Sequence, residues 1–259
     1  MWRLYTEGKQ TYLQLSRTYH CSIKTIQRSI DKFRIGFQYK APREVVVLMD
    51  TTYFGHRFGV MLFKDAYTSE NLLKYFVKYE TNALYKQGIN ALQERGFMVQ
   101  AIVCDGRRGL FNLFKDIPVQ MCQFHQVAIT QRYITKNPRM PAAIEFKEVM
   151  LLLARTDKES FTGALELWFD KWKSFLNERT EDPLTGKTHY THKRLRSAYS
   201  SVKRNLPWLF TWYDHIELNI PNTTNAIDGH FADLKNKLRN HNGLSIYRKE
   251  KFINGFLKA

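Results

Sequence analysis

The run EVVVLMDTTYFGHRFGVMLFKD (44–65) sets the architecture of the chain. EVVVLMD (44–50) is a β-branched apolar segment that ends in an acid, which reads as a strand. TTYFGHRFGVMLFKD (51–65) reads as its continuation into a second strand after a turn near Gly55–His56. LLKYFVKYE (72–80) reads as a third strand. TNALYKQGINALQERG (81–96) has helical spacing, with Leu84, Ile89 and Leu92 on one side and Gly96 as a C-terminal stop. FMVQAIVCD (97–105) is a fourth strand that again ends in an acid. GRRGLFNLFKD (106–116) reads as a short helix, and IPVQMCQFH (117–125) as a fifth strand running into another helix. The order β-β-β-α-β-α-β predicts an α/β fold on a mixed sheet. Residues 126–220 are mostly helical in pattern, with EDPLTGKTHY (181–190) as a polar loop among them.

Upstream, GKQTYLQLSRTYHCSIKTIQRSIDKFR (8–34) reads as two short helices around a tight turn. Ile23, Ile26, Ile30 and Phe33 form one apolar stripe, and Ser22 is a suitable N-cap. Lys24, Thr25, Gln27 and Arg28 then fall early in the second helix. That is where a helix-turn-helix presents side chains to the major groove; an ordinary helical hairpin is the alternative. IGFQYKAPR (35–43), with Gly36 and Pro42, reads as a linker.

Charge points to the same class of partner. The net charge is +16. Residues 1–43 hold nine Lys/Arg against two Asp/Glu, and residues 187–259 thirteen against five, while the central part is nearly balanced. Two basic ends around a neutral body suit a polyanion, because Lys and Arg neutralise phosphates and release counterions. No apolar run approaches the ~20 residues of a membrane span. Three scattered cysteines, Cys21, Cys104 and Cys122, do not make a disulfide framework, so a reducing cytoplasmic, nucleoid-associated setting is expected.

Asp50 and Asp105 end the first and fourth strands. Each alone reads as a turn residue. Together, at strand ends where ligands gather in open sheets, two carboxylates can share Mg²⁺, with Mn²⁺ substituting. Phosphoryl transfer on such ions needs a third acid. CQFH (122–125) offers Cys122 and His125, but no second Cys/His pair follows. The spacing therefore favours a half-buried Cys and a helix-start His over zinc. In NTTNAIDGHFADLKNKLRN (222–240), Asn225 and Asp228 have capping-box spacing, with the helix dipole favouring the acid. Ile227, Phe231, Leu234 and Leu238 form the buried stripe, and Asp228 lies at its margin on the flank of Lys235 and Arg239.

The series LMDTTYF, AIVCDGRRGL, PVQMCQFH and TTNAIDGHFADLK, closed by HNGLS…KFINGF, resembles bacterial insertion-sequence transposases of the Mutator (MULE-like) superfamily. The resemblance implies an RNase H-like catalytic domain over 44–259 with a helical insertion at about 130–220. A helix-turn-helix DNA-binding domain (1–36) and a linker (37–43) would precede it. It implies DDE/D-type DNA transposition with Asp50, Asp105 and Asp228 as metal ligands, Asp228 standing where the family usually has Glu. Cys122 and His125 match the family's C-x-x-H signature, as site support or DNA contacts. Lys24, Gln27, Arg28, Lys235 and Arg239 are the expected DNA contacts. The implied partners are terminal inverted repeats, target DNA and a second copy or larger synaptic assembly. Two other readings stay open: a DNA-binding regulator or remnant without catalysis, and a nuclease or resolvase that releases hydrolysed ends without strand transfer.

Overall fold

Side-chain caps fix the second and third helices. Helix α1 spans Trp2–Thr6, α2 Tyr12–Thr18 and α3 Ile23–Lys32. In α2 the Gln14 N–H donates to Thr11 Oγ1 (3.3 Å) and the Thr11 N–H to Gln14 Oε1 (2.8 Å), a reciprocal capping box. Ser22 caps α3 as its sequence position predicts, its Oγ accepting from the Thr25 N–H at 3.1 Å. Strands β1 (Glu44–Phe54), β2 (Phe58–Asp65) and β3 (Asn71–Val77) follow, then α4 (Asn82–Glu94), capped by Thr81 and stopped at Gly96, whose φ is +86°. Next come β4 (Met98–Cys104), β5 (Val119–Met121), α5 (Gln123–Ile134), α6 (Pro141–Leu152) and α7 (Lys158–Asn177). A hairpin of β6 (Arg179–Glu181) and β7 (Thr188–Tyr190) leads to α8 (Lys193–Leu209), α9 (Thr211–Asp214), α10 (Asn225–Arg239) and α11 (Ile246–Leu257).

This computed structural model describes residues 1–36, 38–56 and 58–258. Phe37 of the expected linker, Arg57 beyond the expected turn and Ala259 at the end of the expected catalytic domain lie outside the described residues. The fold is α/β. Its mixed five-stranded sheet has the order β3-β2-β1-β4-β5, with β2 and β3 antiparallel and β4 and β5 parallel.

The chain divides into two compact units, and β1 contributes to both. The first comprises residues 1–44, 50–98 and 225–259. Its core joins Tyr5, Leu15, Ile26 and Ile30 of the N-terminal helices to Val60 and Leu62 of β2, Ile227, Phe231 and Leu234 of α10, and Phe252, Ile253 and Leu257 of α11. The N-terminal helices share this core with β2, α10 and α11. The second unit comprises 45–49 and 99–224. Here Phe146 of α6 lies 4.4 Å from Trp168 of α7 between ring centroids, and Trp168 Nε1 donates to the Ala142 carbonyl at 3.0 Å. The helical stretch expected at about 130–220 is the bulk of this unit.

Three local differences from the sequence reading have simple causes. β1 does not end at Asp50. The β-branched and aromatic TTYF carries it to Phe54, so Asp50 sits within the strand, and of these two acids only Asp105 follows a strand's last residue. Residues 106–116 form only a 3-10 turn, Phe111–Leu113. The apolar stripe of α3 narrows to Ile26 and Ile30: Ile23 is exposed, and Phe33 lies past the helix end, stacked on Trp2 at 4.8 Å.

Candidate active site and nucleic-acid interface

In the first unit, α2 and α3 form the expected pair around a turn in which His20 takes φ +49°. Ile26 and Ile30 anchor α3 inward. Lys24 and Arg28 are exposed and Gln27 is half-buried, so the first turns of the helix face outward with their polar side chains. The far end is clamped. Asp31 accepts two hydrogen bonds from Arg248 of α11 (Nε at 3.0 Å and Nη2 at 2.7 Å), and Lys251 Nζ donates to the Asp31 carbonyl. The clamp sits on the same helical side as Lys24 and Arg28 but one to two turns later. It therefore leaves the polar side chains of the N-terminal half of α3 as the part of this face not tied to α11.

A second basic feature lies in the same unit. A cleft of about 470 Å³ between the β1–β2 turn, α10 and the start of α11 is lined by Tyr53, His56, Lys235, Arg239, His241 and Lys249. It groups the expected Lys235 and Arg239 with two side chains not singled out from sequence, His56 and Lys249. Only the general basicity of 187–259 pointed to Lys249, and nothing local pointed to His56. Three cations around one cleft form an anion-attracting surface.

The carboxylates sit as follows. Asp50 is half-buried in the middle of β1. Its neighbour Thr51 meets Tyr85 (Oγ1 to Oη, 2.9 Å), and Tyr85 donates to Glu80 Oε1 at 2.9 Å, tying this part of the strand to the start of α4. Asp105 is also half-buried. Its Oδ1 accepts from the Arg107 N–H at 3.1 Å, so the turn role is real and occupies one oxygen. Asp228 is half-buried in the first turn of α10, beside the stripe Ile227, Phe231, Leu234 and Leu238, all four of which are buried as expected. The capping box is corrected. Asn225 is already the first helical residue, so Asp228 lies at the fourth helical position and not at the third after a cap.

In the second unit Cys122 and His125 converge on Thr224, the residue before α10. Both the Thr224 N–H and its hydroxyl donate to Cys122 Sγ at 3.3 Å, and the hydroxyl lies 3.5 Å from His125 Nδ1. The Gln123 N–H also donates to the Asn222 carbonyl at 2.9 Å. Burial raises the Cys122 thiol's pKa, but the hydrogen bonds from His125 and Thr224 outweigh it and hold the thiol below its ordinary value. The C-x-x-H pair is thus a latch on the segment leading into α10, with Cys122 buried and unbonded to another cysteine.

Carboxylate oxygens are the right donor type for Mg²⁺ or Mn²⁺. Among the described residues, however, no group of three or more His, Cys, Asp or Glu is arranged to hold a metal ion. No described helix is long and apolar enough to cross a membrane. No protein-family model matches the chain, and a search of curated proteins finds no match.

Proposed function

We propose that the chain is a DDE/D-type DNA transposase with an RNase H-like catalytic fold, which cleaves element ends and joins them to target DNA. The observation that carries the nucleic-acid half is the clustering of cations in one compact unit. Lys24 and Arg28 open α3, and Lys235, Arg239 and Lys249 line one cleft. Phosphate contacts of this kind position a duplex, while base contacts from a recognition helix specify it.

The catalytic half rests on the resemblance, supported by the sheet order β3-β2-β1-β4-β5 with its antiparallel β2/β3 and parallel β4/β5 pairs. Asp50, Asp105 and Asp228 are the proposed acids. The described side chains form no three-ligand group, so divalent-ion dependence is part of the test. The Cys122–Thr224–His125 latch would act as positioning chemistry, since it holds the residue four before Asp228. A synaptic dimer or larger assembly belongs to the same proposal, because two element ends must be joined together.

The Asp105 turn and the missing three-ligand group among the described residues favour a second reading, a DNA-binding regulator that has lost catalysis. Strand cleavage and transfer on the element's own ends, with and without Mg²⁺ or Mn²⁺, separates the two. The transposase reading expects divalent-dependent product that is abolished in both Asp50→Asn and Asp105→Asn. Specific binding with no cleavage under either ion establishes the regulator instead. Cleavage without joining establishes the nuclease.

A further inference from the structure

The second unit contains a cavity that none of the proposed roles uses. It has a volume of about 550 Å³ and lies between the loop after Asp105 and helices α5 and α8. That volume falls in the range of small-ligand sites, roughly 300–1,000 Å³. Its composition is specific. One wall is aromatic: Trp208 stacks on Phe111 with ring centroids 4.7 Å apart and planes 21° apart, and Tyr133 of α5 lines the same space. Phe111 is buried and Trp208 half-buried, so Phe111 backs the indole. The rim is cationic, with exposed Arg204 one helical turn before Trp208 on α8 and exposed Arg108 on the loop. The inner end is polar. Asn205 is 8% exposed, and its Nδ2 donates to Gln126 Oε1 at 2.7 Å, which fixes the orientation of a side chain that lines the cavity beside buried Ser201. Gly109, at φ +79°, allows the loop to turn at the mouth.

A supported aromatic face, guanidinium groups at the rim and an oriented amide inside match the parts of a nucleotide: a π-face, a phosphate and a polar base edge. A base inside a duplex cannot use such a cavity, because its faces are already stacked. We propose that this cavity binds one unpaired nucleotide of a DNA strand, with the base against Trp208, the base edge toward Asn205 and the phosphate on Arg204 and Arg108. The inference rests on the reading of DNA as substrate, and assigns this site the unpaired part of it.

The test uses the full chain and fluorescence anisotropy with two labelled probes: a fully paired duplex, and the same duplex carrying one unpaired, 5-iodouracil-substituted position. The expected result is tighter binding of the second probe. Trp208→Ala should remove about tenfold of that affinity, as expected for loss of one base-stacking contact, without changing binding of the paired probe. Trp208→Phe, which keeps a π-face, should restore most of the preference. Irradiation of the wild-type complex should crosslink the iodouracil to a peptide containing Trp208 or Tyr133, a readout independent of whether a variant folds. Equal binding of both probes by the wild type, or crosslinks that map only outside this cavity, overturns the proposal while leaving duplex binding intact. Failure to bind either probe overturns the DNA reading itself.

Discussion

Acidification should destabilise the first unit through His230. This side chain of α10 is partly buried against the Phe256 ring (4.9 Å between centroids), and its Nε2 accepts from the Asn71 amide at 3.1 Å. Asn71 also donates to the Leu257 carbonyl at 2.7 Å, so the imidazole sits on a junction of β3, α10 and α11. Burial, followed by the nearby Lys64 and Lys237 charges, lowers its pKa to about 4, with Asp233 opposing. A free histidine titrates near ~6.5. The unfolded chain therefore binds the proton first as pH falls. Stability is fully present above about 6.5, declines as pH falls through that value, and levels off below about 4. From pH 7.5 to 5.5 linkage gives about 1.3 kcal/mol. His230 is only partly buried, and solvent screening reduces this to roughly 0.7 kcal/mol. His241, lowered mainly by burial, adds loss of the same sign. Urea titrations at several pH values, on wild type and His230→Gln, isolate the His230 share. The variant should lose roughly half to one kcal/mol of the pH dependence between 7.5 and 5.5. An unchanged pH slope in the variant would refute the assignment.

Other perturbations test separate parts of the molecule. Arg43→Leu should destabilise by about 3 kcal/mol, because Asp65 is buried and loses its charged partner at 2.6 Å; a urea midpoint consistent with less than about 1 kcal/mol would show that Thr68 and the Tyr67 N–H suffice. Gly88→Ala should cost about 1–2 kcal/mol despite a helix-propensity gain of about 1, since the new Cβ would stand 2.0 Å from Cζ of buried Phe63. A thermal scan showing stabilisation would mean that the ring can move aside. Lys24→Ala and Arg28→Ala should each lower the slope of log K against log salt for DNA binding by about one, with melting temperature unchanged. An unchanged slope in both would remove α3 from the interface.

The strands were legible because burial on both faces leaves a continuous apolar signature. All eight residues of β2 are buried, including Lys64 and Asp65, and VVVLM of β1 behaves the same way. The same rule hid the β6–β7 hairpin. Its six strand residues are nearly all exposed, and its stability comes from polar pairings that leave no periodic trace. Thr180 and Thr191 hydroxyls meet at 2.8 Å, and Arg179 and Arg196 lie over the Tyr190 ring at 4.6 and 3.7 Å. The turn itself was readable, since Asp182 accepts from the Leu184 and Thr185 N–H groups and Gly186 takes φ +64°. A turn flanked by polar residues does not announce strands.

The helix start at α10 shows where local reading stops. The segment NTTN offers four consecutive residues that can cap a helix, and their propensities are too close to choose among them. Choosing Asn225 made Asp228 a cap partner. The choice is settled by a cysteine 102 residues earlier, which holds Thr224 in a buried position through two hydrogen bonds and leaves Asn225 as the first helical residue. That single-residue offset removes the capping-box reading. What the helix itself still returns to Asp228 is the dipole benefit, about 0.3–1 kcal/mol for an acid in the first turn. Whether the charge of this half-buried acid also serves the reaction is tested by exchange. If Asp228→Asn leaves strand transfer intact, the role of the acid is structural. If Asp228→Asn abolishes transfer while the melting temperature shifts by only the few degrees that such a loss allows, its charge serves the reaction.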